Sequence, residues 1–208
     1  MKKIMFNDKY GLTEAVLTGR KTKTRRMIPQ SELDRAKEFQ QYYFDATLDT
    51  LTGVELLSQF FLVEKIGKLP YQIGDVVAIA QSYKDAGVHS LPEEDDEFGC
   101  YNFPAEQTNG WTNKMFVRAD LMPHQIRITN IRIERLQDIG DVDCLSEGIE
   151  FSHRAQRFYA NRNPTTGSRI WLGDTPREAY AALIDRISDK GTWESNPFVF
   201  VYDFKLVK

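Results

Sequence analysis

The sequence predicts an α+β fold, a curved sheet of mixed strands rolled toward a barrel with a few helices on its flanks. Three observations carry this. Apolar runs of strand character at residues 4–6, 76–80, 126–133 and 198–206 are separated by unequal stretches, so strands and helices do not alternate as a doubly wound sheet requires. The alternation in 126–133 shifts from even to odd positions at Thr129-Asn130, which marks a β-bulge or a bend in a curved sheet. Residues 198–206 place Phe198, Phe200, Tyr202, Phe204 and Leu206 at every second position, a strand with one buried aromatic face.

Each element has its own local reason. Ile4-Met5-Phe6 reads as a strand, and Asn7 or Asp8 caps a helix after it. Leu12, Ala15 and Val16 fall at helical spacing, with Gly19 as the stop. Ser31-Glu32-Leu33-Asp34 opens a helix through the 30s, but the apolar residues from Leu48 to Leu62 settle on no period. Residues 31–69 are therefore treated as an insertion. The turn Pro70-Tyr71-Gln72-Ile73-Gly74-Asp75 precedes Val76-Val77-Ala78-Ile79-Ala80, a fully apolar run that reads as a buried strand. Residues 84–114, with Glu93-Glu94-Asp95-Asp96-Glu97, read as a solvated excursion, and residues 151–172 as a loop rich in Arg, Asn, Gly and Ser. Between them a short helix over about 141–147 ends at Gly148. Thr175-Pro176-Arg177-Glu178 is a capping box with proline at the first helical position, and Tyr180, Leu183, Ile184 and Ile187 form the stripe of a packed helix.

Bulk properties bound the function. The 208 residues fit a single domain, 1–208, with the three insertions named above. Net charge is −3 and the pI about 5.7, so nucleic-acid binding has to rest on a local basic patch. Cys100 and Cys144 have no metal-like spacing, and His89, His124 and His153 stand isolated, so no metal and no cofactor is expected. No signal-peptide pattern and no run of membrane-spanning length is found, which gives the expectation of a cytoplasmic chain with no membrane partner.

The local patch is Gly19-Arg20-Lys21-Thr22-Lys23-Thr24-Arg25-Arg26. Five of the seven residues from 20 to 26 are cationic. The plain reading is a solvated charged loop leaving a helix C-terminus, whose carbonyl end favours cations. Two features favour a site instead. The segment is held between a helix and Pro29, and its hydroxyls, Thr22 and Thr24, sit between cations, a mixture that grips phosphate or a polar ring.

Gly19-x-Lys21-x-x-Thr24-x-Arg26 resembles the GxKxxTxR signature of ASCH domains, relatives of the PUA RNA-binding domain. Residues 70–75 resemble that family's PYxxGD turn. Arg132-Ile133-Glu134-Arg135-Leu136-Gln137-Asp138-Ile139 and Glu147-Gly148-Ile149 resemble the VRVERLQDI and EGI segments of its larger, phage-associated members. Asn196-Pro197-Phe198-Val199-Phe200-Val201 is similar to their NPWVWV closing strand. The resemblance implies a PUA-like β-pseudobarrel of mixed strands with flanking helices, and a ligand cleft lined by the signature segment. It implies RNA or a modified nucleoside as partner. Some small members are amidohydrolases acting on acetylated cytidine through a Lys and a Thr of the signature and a Glu after the GD turn. Lys21 and Thr24 match the first two, as base and as nucleophile or water holder, but Gln81 stands where the Glu is expected.

Gln81 donates and accepts hydrogen bonds but carries no proton between steps, and loss of a positioned acid or base slows a reaction about 10²–10⁴-fold. Binding of RNA or a modified nucleoside therefore ranks first, with hydrolysis of acylated nucleosides such as N4-acetylcytidine as the alternative. The expected ligand-binding residues are Gly19, Lys21, Thr22, Thr24, Arg26, Gln81 and Tyr83, with Asn130 and Trp111 as lesser candidates to line the cleft.

Overall fold

The computed structural model describes residues 1–43, 53–92, 102–160 and 169–207. The elements in chain order are β1 (Lys3–Ile4), α1 (Leu12–Leu17), β2 (Lys23–Met27), α2 (Gln30–Tyr43), α3 (Gly53–Ser58), β3 (Val76–Ile79), α4 (Tyr83–Ala86), β4 (Ser90–Pro92), β5 (Asn102–Pro104), β6 (Gln125–Arg135), α5 (Asp141–Ser146), β7 (Ile149–Ser152), β8 (Arg157–Ala160), β9 (Ile170–Gly173), α6 (Pro176–Ile187), α7 (Thr192–Ser195) and β10 (Phe198–Leu206). The fold is mixed α+β. Its centre is a five-stranded sheet in the order β1-β3-β6-β10-β2, with β1 parallel to β3 and the other neighbours antiparallel. Among the described residues β1 and β2 remain the two edges, so the expected roll toward a barrel stops short of closure. The chain leaves β1 into a short 3-10 turn at Asp8–Tyr10, capped by the Asn7 side chain, instead of continuing along β2.

The phase change in β6 is a bulge. Asp203 pairs with Asn130 and Phe204 with Ile128, which leaves Thr129 as the extra residue. Ile126, Ile128, Ile131 and Ile133 all stay in the core on either side of it. The closing strand differs from its one-faced expectation. Val199 and Val201 are buried as fully as Phe200 and Tyr202, because β10 lies between β6 and β2 and is covered on both faces.

Two stretches expected as insertions or loops carry structure. Ala36, Phe39, Leu56, Leu57, Phe60 and Phe61 join the main core, the last two from a π-helical turn at Gln59–Val63. Phe61 meets Phe200 edge-on at 4.8 Å. The reading of 151–172 as a loop is corrected by the three-stranded sheet β7-β8-β9, which packs against α6. Phe151, Phe158 and Trp171 give it aromatic pairs that outweigh the polar composition. A second, smaller core of Ala78, Ala80, Tyr83, Ala105, Val117 and Met122 sits at the β3 end of the sheet. The acidic run at 93–97, Leu48, Leu51 and Cys100 lie outside the described residues. No helix among the described residues is long and apolar enough to cross a membrane.

Candidate functional site

The basic segment is half strand. The expected loop is corrected by β2, which pairs with β10 over Lys23–Met27. Pleating sends alternate side chains to opposite faces, and each face rewards what it receives. Lys23 and Arg25 meet carboxylates. Lys23 Nζ lies 3.0 Å from Asp143 and 3.3 Å from Asp203. Arg25 donates to Glu134 at 2.5 Å and to Asp143 and Glu147 at 3.0 Å each. Arg132 joins the same cluster through Glu134, Asp143 and Asp203. Arg20 pairs with Glu150. A strand of cations becomes possible because β6, β10 and α5 bring its counter-charges.

Lys21 sits just before β2 and is only 3 % exposed. Its ammonium donates to the Glu147 carboxylate at 2.5 Å and to the Glu147 carbonyl at 2.9 Å. Glu147 is 4 % exposed, and its other oxygen accepts from Arg25. Gly148 makes this approach possible. Its φ is +101°, and a Cβ there would lie 3.2 Å from Leu12, 3.3 Å from Ala15 and 3.5 Å from Lys21 Cβ. Burial pushes the Lys21 pKa down, and the neighbouring Arg26 and Arg25 push the same way, against the pull of Glu147. Burial opposes charge on Arg25 as well, but Glu147, with Tyr180 and Glu134, holds its pKa above the ordinary value.

These residues border a cleft of about 710 Å³ at the unclosed seam of the sheet. Lys21, Thr24, Arg25 and Arg26 form one side, and Met5 to Lys9, where the chain leaves β1, form the other. The α6 stripe supplies a wall. Tyr180 and Leu183 are core, but Ile184 and Ile187 are only partly buried and face the cleft. Lys114 closes the far side by donating to Asp8 at 2.6 Å and to the Phe6 carbonyl. Arg26 bridges the seam, donating to the Met5 carbonyl at 2.6 Å, and both Arg26 and Lys21 lie over the Phe6 ring at 6.0 and 5.8 Å. Thr24 is buried on the cleft side, and its hydroxyl makes no hydrogen bond to the described residues. The Tyr180 hydroxyl is likewise buried without a partner, and burial, with Glu147 beside it, raises its pKa.

The remaining expected residues lie elsewhere. Gly19 ends α1 with φ +74°, and Thr22 is exposed, with its carbonyl bound by Phe204. Gln81 does not reach the cleft. It borders a separate hollow of about 210 Å³ with Asp8, Glu14 and Asp85, and its side-chain oxygen lies 3.1 Å from His124 Nδ1. Tyr83 is buried in the smaller core, its hydroxyl accepting from the Arg118 amide at 2.9 Å. Asn130 is exposed at the bulge beside Asp203, and Trp111 packs near His89 at 5.7 Å. Sequence reasoning named Glu147 within the Glu147-Gly148-Ile149 segment but gave it no role at the site, and it did not bring Phe6, Lys114 or the α6 stripe to the cleft. Among the described residues no cluster of His, Cys, Asp and Glu has the arrangement of a metal site.

The chain matches no protein-family model, no curated protein and no solved structure. The chemistry open to the site is set by its own atoms. It holds a buried amine against a carboxylate, two buried hydroxyls without a partner among the described residues and an apolar wall.

Proposed function

We propose that the seam cleft binds a small ligand of the nucleoside class, and that the chain is an ASCH-domain protein whose open sheet is a PUA-like pseudobarrel. The observation that carries the ligand class is the cleft's size and lining. At about 710 Å³ it falls in the range of small-molecule sites, with Phe6, Leu183 and Ile184 for a flat ring and Lys21, Thr24 and Arg26 for polar groups. A long RNA strand fits less well. Arg20, Lys21, Lys23 and Arg25 already face carboxylates, which leaves Arg26 as the one cation of this segment without an ion pair among the described residues. Phosphate binding draws its affinity from cations free to replace counterions. In a thermal-shift and calorimetric comparison, free nucleosides should bind with little salt dependence. Tight binding of short RNA with a steep salt slope, and none of nucleosides, would overturn this reading.

A second reading, amide hydrolysis of an acylated nucleoside such as N4-acetylcytidine, is favoured by Glu147. The carboxylate absent at position 81 stands instead against Lys21. Neutral Lys21 takes a proton from Thr24 or from a cleft water. The oxygen attacks the acyl carbon, and the Lys21 ammonium returns the proton to the departing amine; with water as the attacking group this yields acetate directly, and with Thr24 it yields an acyl-Thr24 ester that a cleft water, deprotonated by the again neutral Lys21, hydrolyses to acetate as the proton returns to Thr24. Glu147 holds Lys21 in place. Acetate release should rise with pH as Lys21 loses its proton, below its ordinary 10.5, and should vanish in Lys21→Met and Thr24→Val but persist in Gln81→Ala. Release that survives both cleft substitutions would exclude this chemistry.

A further inference from the structure

We infer that the main chain of Arg25 reads the edge of the ligand's ring, accepting only heterocycles that carry a hydrogen-bond donor and acceptor side by side. This rests on the nucleoside reading above and names what part of the ligand is recognised.

The register of β2 decides which backbone groups are open. Phe204 N donates to Thr22 O at 2.9 Å and Ile28 N to Phe198 O at 3.0 Å. With Tyr202 opposite Thr24 and Phe200 opposite Arg26, the even-numbered residues of β2 turn their amides and carbonyls toward β10. In an antiparallel ladder the residues between them point theirs the other way. The amides and carbonyls of Lys23, Arg25 and Met27 therefore lie on the open edge, which no strand among the described residues pairs.

Only Arg25 brings that edge into the cleft. Neither Lys23 nor Met27 borders it. Arg25 is 7 % exposed as a residue but 1 % exposed in its side chain, so what it shows is mostly backbone. Its guanidinium is spent on Glu134, Asp143 and Glu147 on the inner side. From the open edge of β2 the cleft thus meets the N–H and C=O of a single residue.

That count selects the ligand. An added peptide strand needs successive pairs two residues apart, here Arg25 with Lys23 or Met27, and the cleft offers one. A single adjacent pair complements the –CO–NH– edge of a uracil-type ring, or the ring nitrogen and amino group of a cytosine-type ring. Arg25 N–H donates to the uracil carbonyl or to the cytosine ring nitrogen, and Arg25 C=O accepts from the uracil ring N–H or from the cytosine amino group. Phe6 and the exposed flanks of Ile184 and Ile187 then lie beside the ring faces.

The test is calorimetric titration of the full chain with uridine, cytidine, 3-methyluridine and 3-methylcytidine, with the Arg25 amide followed by ¹⁵N NMR. The methyl group at N3 blocks the edge and leaves the ribose unchanged; 3-methylcytidine also gains a positive charge at neutral pH, so the uridine pair, neutral in both forms, decides. The parents should bind and shift the Arg25 amide, and both methylated forms should bind at least tenfold more weakly. Equal binding of methylated and parent nucleosides, or binding that leaves the Arg25 amide unmoved, overturns the edge inference while the nucleoside reading stands. No binding by any of the four overturns both. A short peptide that shifts Arg25, with the nucleosides inert, assigns the edge to strand addition and likewise overturns it.

Discussion

Glu147 is bonded to Lys21 through one oxygen and to Arg25 through the other, and all three side chains are buried. A carboxylate in this position carries two cations that have given up water. Removing one partner of such a group leaves an uncompensated charge, typically at about 3–5 kcal/mol. Glu147→Gln should lower unfolding stability by that order in urea denaturation. Lys21→Met in the same chain should restore part of it, since the two residues are in direct contact and their effects do not add. Additive losses would mean that the pair is not coupled. The difficulty of finding Glu147 in the sequence is physical. It stands 126 residues from Lys21, and the bond forms only after β2 and α5 are docked. Its local signs, the glycine after it and the Glu147-Gly148-Ile149 segment it opens, give it no partner. Lys21, Thr24 and Arg26 stand in one short segment, so the sequence alone groups them, and all three border the cleft. Gln81 lies past the end of β3 and borders a different hollow, a separation that spacing along the chain does not show.

At the scale of elements, the glycine at 148 does more than end α5. With φ +101° it turns the chain from α5 into β7 while α1 and Lys21 pack against its bare Cα. Alanine there has to adopt a backbone conformation that L-residues avoid, at about 1–3 kcal/mol. It also has to displace Leu12 or Ala15. Gly148→Ala should therefore lower the thermal midpoint and weaken nucleoside binding together, whereas Gly74→Ala, with open space around it, should touch stability alone. Binding that is indifferent to Gly148→Ala would separate this turn from the site. Elements with a strong local rule were legible. The capping box at Thr175, the bulge at Thr129 and the stop at Gly148 each need only neighbouring residues. The β7-β8-β9 sheet was not, because its strands hold through cross-strand aromatic pairs such as Phe151 with Phe158. The cations of β2 disguised a strand as a loop because their carboxylates come from three other elements.

Across the whole molecule, the ion cluster ties β2, β6, β10 and α5 into one unit. Burial opposes the charge of Asp143, but hydrogen bonds from Lys23 and Arg25 prevail and hold its pKa below the ordinary 3.8. The folded chain thus binds fewer protons there than the unfolded chain does. The stability this contributes is complete above 3.8 and is lost as pH falls through the depressed folded value. Urea midpoints measured down this range should show an acid limb that Asp143→Asn flattens. An unchanged limb would place acid sensitivity elsewhere.

The unclosed seam also bears on what else could add to this sheet. A bare strand edge is a template on which another copy can add, and sheet proteins guard such edges with charge, burial or shortness. Here the guard is built from the lining of the cleft itself. Lys23 carries charge at one end, α6 and the turn after β1 stand on either side, and Arg26 ties β2 to the Met5 carbonyl across the gap. A ligand seated as proposed on Arg25 and a strand of another copy would compete for one opening, so a nucleoside that binds there should also slow any association through this edge.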